Sequence, residues 1–210
     1  MSDLIQDIYD DVVAGDQSGV EEGVRAALAE GTEAKTLLRE GLVEAMDEVG
    51  SRFESGEYYI PDMVIAARAM KSGLEILKPE LVEGGVDPIG TIVLGTVKGD
   101  MHDIGKNLVG MMMEGSGFNL IDIGTDVSPE RFADAIKEHQ PQIVGFSALL
   151  TTTMMNMGPA IDELVTAGLR DNVKIIVGGA PLSEAFAQEI GADGYAADAS
   201  RAVTLAKSFL

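Results

Sequence analysis

The segment TIVLGTVKGDMHDIGKN runs from Thr91 to Asn107. Its first part, Thr91-Ile92-Val93-Leu94 and then Thr96-Val97, is uncharged, rich in β-branched residues and bounded by Gly90 and Lys98-Gly99, which predicts a buried parallel strand. Asp100, His102, Asp103 and Gly105 follow at once, and Ile104, Leu108, Val109 and Met112 then recur at helical spacing. The polar cluster is therefore expected in a strand-to-helix loop at the carboxyl end of a strand, where open α/β sheets place their ligands.

Residue type narrows what such a loop can hold. His102 offers an imidazole nitrogen to a metal, and Asp100, two residues earlier on the same side of an extended segment, can take the proton on the other nitrogen. Gly105 leaves no side chain in the way of a close-approaching group, and the helix amino end favours an anionic one. A lone histidine in a loop is more often a capping or surface residue.

Downstream of this segment, strands and helices alternate. Phe118 to Gly124, Gln142 to Ser147, Val173 to Gly178 and Asp193 to Ala196 read as strands. A helix opens at Ser128-Pro129-Glu130 with Ser as N-cap, and others are expected near 154–169, 181–190 and 198–208. Such alternation predicts an α/β domain over 89–210, a five-stranded parallel sheet of flavodoxin-like or Rossmann-like type. No G-x-G-x-x-G follows a strand and no Walker A sequence occurs, so NAD and ATP are poor candidates.

Upstream, residues 1–88 read as four amphipathic helices with short connections, an antiparallel bundle. Leu4, Ile5, Ile8, Val12 and Val13 share one helix face before a break at Gly15-Asp16. Ser18 to Glu21 has capping-box form ahead of Val24, Ala27 and Leu28, and Gly31 ends that helix. Leu38, Leu42, Met46, Val49 and Phe53 mark a third helix stopped by Ser55-Gly56; Pro61 opens a fourth that runs through Met63, Met70, Leu77 and Leu81. The stretch from Leu81 to Gly90 reads as a linker and hinge.

Thirty-five acidic against fifteen basic residues give a net charge of -20, which argues against nucleic acid and anionic membranes as partners. The absence of cysteine removes disulfides, thiolate metal sites and thiol catalysis, and with His102 and His139 the only histidines a multi-histidine metal centre within one chain is excluded. His139, at a polar helix end, reads as solvated. The opening MSDLIQDIYDDVV lacks the pattern of an export signal and no apolar run reaches membrane-spanning length, so a cytoplasmic location is expected.

Asp100-Met101-His102-Asp103-Ile104-Gly105 matches the DxHxxG motif of the cobalamin-binding domain of methionine synthase, adenosylcobalamin mutases and the corrinoid proteins of methyltransferase systems, and the surrounding TVKGDMHDIGKN is most similar to the methyltransferase branch. Ser147-Ala148-Leu149 resembles that family's SxL element and Gly178-Gly179 its GG element, both expected to line a channel for the nucleotide tail. Tyr195-Ala196 resembles the segment beside the tail base, though Tyr195 is also compatible with the core. Thr153 falls where relatives carry a serine bonded to the Asp-His pair; with Thr151 and Thr152 adjacent, which hydroxyl makes that link stays open. The segment FESGEYYIPDMVIAARAMKSGLEIL, Phe53 to Leu77, resembles the helical cap over the upper corrin face, with Phe53 and Ile60 at the positions that would cover the axial methyl group.

The resemblance implies a corrinoid methyl carrier of one-carbon metabolism, its cofactor held with the tail base displaced and His102 as lower axial cobalt ligand. His102 would leave and return in each cycle, with Asp100 and Thr153 managing the accompanying proton. Implied partners are a substrate-specific methyltransferase, a second methyltransferase that passes the methyl group to a thiol or tetrahydrofolate, and a reductive activase. A cobalamin-dependent regulator or sensor and a mutase cobalamin-binding subunit are the alternatives within the family; outside it, Asp100, His102 and Asp103 would be ligands of a hydrolytic metal.

Overall fold

The computed structural model describes residues 3–83 and 87–210. They form two compact units: a helical one that ends at Pro88 and includes Glu114–Gly117, and a sheet-containing one, Ile89–Met113 with Phe118–Leu210. The hinge expected between Leu81 and Gly90 falls in part on residues 84–86, outside the described residues.

In the helical unit, α1 (Asp3–Ala14), α2 (Gln17–Ala29), α3 (Ala34–Thr36), α4 (Glu44–Ser55) and α5 (Ile60–Glu83) follow in order, with a π-helical segment Leu37–Val43 between α3 and α4. Helix α1 packs on α2, α2 on α5, α5 on α4 and α4 on α1, which closes a bundle. Ile8, Val12, Val20, Val24, Met46, Val49, Met63 and Leu77 are fully buried within it, each such side chain contributing on the order of 2 kcal/mol.

Two local expectations shift. The N-cap of α2 is Asp16, whose carboxylate accepts the Gly19 amide proton at 3.1 Å, so Ser18 lies inside the first turn and forms no capping box. Both residue types cap well, and the one with extended backbone at the boundary wins. The π turn rotates the third helix so that Leu37, rather than Leu38, is fully buried with Leu42. Gly56 closes α4 in the left-handed conformation, φ +80°.

The second unit holds β1 (Thr91–Thr96), α6 (Ile104–Gly115) as far as Met113, β2 (Asn119–Asp122), α7 (Pro129–His139), β3 (Ile143–Ser147), α8 (Thr151–Met154), α9 (Met157–Thr166), β4 (Lys174–Gly178), α10 (Glu184–Glu189), β5 (Gly194–Ala196) and α11 (Ala199–Lys207). The helix expected near 154–169 is thus two pieces, α8 and α9. Strand order is β2-β1-β3-β4-β5, all parallel. Thr96 pairs with Ser147 and Ser147 with Gly178, so three of the loops singled out in the sequence leave the sheet side by side. The order reverses between β1 and β3, the crevice where doubly wound sheets bind ligands. Beneath it Phe132 packs edge-to-face on Phe146 with ring centroids 4.5 Å apart, and Val93, Val144, Ile175 and Val177 complete the core.

Candidate functional site

The site grows from the end of β1. Val97 to Asp100 turn sharply, the Asp100 amide donating to the Val97 carbonyl at 3.1 Å, and α6 begins four residues later. Asp100 has no exposed surface. Its Oδ1 accepts the His102 backbone amide at 2.9 Å and faces His102 Nδ1 at 2.7 Å; its Oδ2 accepts the Leu149 amide at 2.8 Å and the Thr153 hydroxyl at 2.5 Å. The 100–102 segment is thus an Asx-type turn rather than the extended stretch its sequence suggests, because the carboxylate bonds the backbone two residues on.

Burial alone would push the Asp100 carboxyl up. The hydrogen bonds from Thr153, the His102 and Leu149 amides and the His102 ring outweigh it and hold the group well below the usual carboxylate range. An anionic Asp100 requires Nδ1 to carry a proton, and in a neutral ring the lone pair is then on Nε2. Nε2 has no hydrogen-bond partner among the described residues, and the His102 side chain is 49% exposed.

Met101, Ile104, Leu149 and Leu150, all large and hydrophobic, are exposed in the segments that follow β1 and β3. A Cβ added at Gly105 would meet nothing within 4 Å. Gly179, at φ +133°, brings the β4 loop against the β3 loop: a Cβ there would lie 1.9 Å from the Ala148 carbonyl oxygen. Ser147 is half-buried at the end of β3, its carbonyl taken by the Val97 amide at 3.0 Å. Of the three adjacent threonines only Thr153 is buried and reaches Asp100; Thr151 and Thr152 are exposed.

Not every expected residue joins this cluster. Asp103 accepts the Asn107 side-chain amide at 3.1 Å, and among the described residues no group of three or more acidic or histidine side chains is placed to hold a metal, so Asp100, His102 and Asp103 do not converge on one. Tyr195 packs half-buried against the sheet core, and Ala196 is buried at the end of β5. Phe53, half-buried in α4, and Ile60, exposed at the start of α5, belong to the helical unit. His139, half-buried, lies 3.8 Å from Glu138.

The sequence reading passed over Thr96, whose hydroxyl holds the His102 carbonyl at 3.1 Å, and over an ion pair whose cation is buried and whose carboxylate is exposed. Lys106, 3% exposed in the first turn of α6, reaches Asp122 at the end of β2 over 2.5 Å and Asn107 Oδ1 over 2.7 Å. A lysine inside an amphipathic helix start carries no mark of burial in sequence. Lys106→Met keeps the apolar stem and is expected to destabilise by about 1 kcal/mol, whereas Asp122→Ala leaves the buried ammonium with only Asn107 as acceptor and should cost about 2 kcal/mol. Urea unfolding checks the ranking, and equal losses would show that the pair is not coupled in this way.

A family model described as a B12 binding domain matches residues 90–204, and a second with the same description matches residues 4–78. A corrinoid protein of Desulfitobacterium hafniense strain Y51 is 42% identical over 210 residues, covering 99% of this chain and 97% of its own. Trimethylamine corrinoid protein 1 of Methanosarcina acetivorans is 39% identical, with the same coverage. The crystal structure of the methanol:cobalamin methyltransferase complex from Methanosarcina barkeri superposes with TM-score 0.87 at 29% identity, over 99% of this chain and 79% of that one. Among the described residues no helix is long and apolar enough to cross a membrane. With a B12 binding domain over the sheet, a second match over the bundle and relatives of near-equal length, the chain belongs to the B12-binding family, among the corrinoid proteins of methyltransferase systems.

Proposed function

We propose that this corrinoid methyl carrier holds its cofactor with the tail base displaced and His102 Nε2 as the lower cobalt ligand. One observation carries the assignment: an imidazole whose Nδ1 is bound to a fully buried carboxylate and whose Nε2 points free from a half-exposed ring. A neutral imidazole with its second nitrogen fixed by a carboxylate suits a metal ligand, and exposed Met101, Ile104 and Leu149 suit the apolar face of a macrocycle. The bound corrinoid supplies the cobalt that takes up and gives up the methyl group.

The chain's own residues position and protonate. Asp100 keeps Nδ1 protonated and Nε2 basic while the ring is engaged. Asp100, held by Thr153 and the Leu149 amide, would manage the proton that accompanies release and return of the ring. Ser147, Gly178 and Gly179 line the tail channel, and Tyr195 with Ala196 closes its far side in this reading. A substrate-specific methyltransferase supplies the methyl group, a second methyltransferase transfers it to a thiol or tetrahydrofolate, and a reductive activase restores any oxidised cofactor.

The test is direct. The chain is grown with 15N-histidine, loaded with hydroxocobalamin and reduced by one electron, and paramagnetic resonance is recorded. Superhyperfine splitting that changes from the 14N to the 15N pattern is expected; splitting unaffected by the label would refute ligation by the protein. Gly105 offers a second check. Gly105→Ala should leave the fold intact or stabilise the helix by up to about 1 kcal/mol, yet weaken corrinoid binding by about tenfold through crowding. Titration of the apoprotein with hydroxocobalamin decides, and undiminished affinity would mean that the open space serves something else.

A further inference from the structure

We infer that Asp126, in the loop between β2 and α7, is a positioning residue for the Asp100–His102 pair. Among the described residues only Asp126 and Gln140 are non-glycines with positive φ, at +53° and +46°. Gln140 terminates α7, where a left-handed residue is ordinary. Asp126 ends no helix, so its conformation calls for another reason.

That reason is a bracket around the turn that carries the site. The Asp126 carboxylate accepts the Gly99 amide proton at 2.7 Å, and its own backbone amide donates to the Asp100 carbonyl at 3.0 Å. With φ positive, Asp126 turns both its side chain and its amide toward the same short loop. On either side the contact continues past the end of the sheet. The Thr96 amide donates to the Gly124 carbonyl at 2.9 Å, and the Val127 amide to the Thr96 carbonyl at 3.0 Å.

Asp100 is thereby fixed twice, through its backbone by Asp126 and through Oδ2 by Leu149 and Thr153. Neither support passes through His102. The ring can leave and return to a carboxylate that stays in place, so the free energy of re-ligation does not have to include reordering of the loop. This inference rests on His102 being the cobalt ligand.

The test uses the full chain and two variants. Asp126→Gly tolerates the left-handed backbone and deletes only the carboxylate, whereas Asp126→Asn retains an Oδ1 acceptor for Gly99. In the apoprotein, hydrogen exchange of the Gly99 amide is expected to accelerate about tenfold in Asp126→Gly and to return close to wild type in Asp126→Asn. After loading with hydroxocobalamin and one-electron reduction, the ratio of His-ligated to unligated cofactor at neutral pH should fall about tenfold in Asp126→Gly, with the same rescue. An unchanged ratio in Asp126→Gly overturns the inference whether or not Gly99 exchanges faster, as does failure of Asp126→Asn to rescue. A wild-type spectrum identical to that of His102→Ala marks failure of the ligation reading itself and takes the positioning role with it.

Discussion

Replacing His102 with alanine is expected to abolish the histidine-ligated spectrum of the loaded protein and to weaken corrinoid retention by roughly 100-fold or more. The stability of the apoprotein should barely change. The ring is half exposed and its Nε2 bonds to nothing among the described residues, so its removal opens no cavity and orphans no core group. Asp100 loses the ring contact at 2.7 Å but keeps the backbone amides of residues 102 and 149 and the Thr153 hydroxyl. A large loss of cofactor at near-constant unfolding free energy is the signature of a ligand; unchanged spectrum and affinity would contradict the assignment.

Asp100→Asn is expected to do the reverse: the variant still binds corrinoid, but its fold is weakened and the reduction potential of cobalt is altered. The amide of asparagine has one oxygen, and either orientation sets its NH2 group against a backbone N–H, that of His102 on one side or of Leu149 on the other. A buried, repelled donor pair costs about 3 kcal/mol. The penalty has a pH dependence whose sign follows from the depressed carboxyl group. A folded-state value below the unfolded one contributes stability that is fully present above about pH 4 and lost progressively as pH falls through that window. The gap between wild type and Asp100→Asn in urea unfolding should therefore be widest at neutral pH and narrow toward pH 3. A gap that holds constant would show that the charge of Asp100 is not its source. Redox titration of the loaded variant checks the potential, and a wild-type value would remove the coupling between this carboxylate and the metal.

Much of the site was legible because its chemistry is local. Asp100 and His102 lie in one loop, the β-branched run before them predicts a buried strand, and the helical spacing after them predicts α6. The partners of Asp100 were not legible to the same degree. Three adjacent threonines are equivalent as letters, and only the path of the chain after β3 selects Thr153 by burying it. The Leu149 donor is a backbone amide, which every residue but proline carries, and Asp126 looks like any loop aspartate until its φ is known. Lys106 carries no mark of burial in sequence and is nonetheless buried, with Asp122 brought to its side by the next strand.

Composition, periodicity and the order of short motifs thus determined by themselves the helices, the strands and the loop that carries the histidine. These depend on interactions between residues a few positions apart, where the chain fixes the geometry. The tertiary structure alone decided how Asp100 is held, because its remaining donors come from 49 and 53 residues away. Contacts at that separation are set by the register of β1 against β3, and strand register follows from packing both faces of the sheet at once.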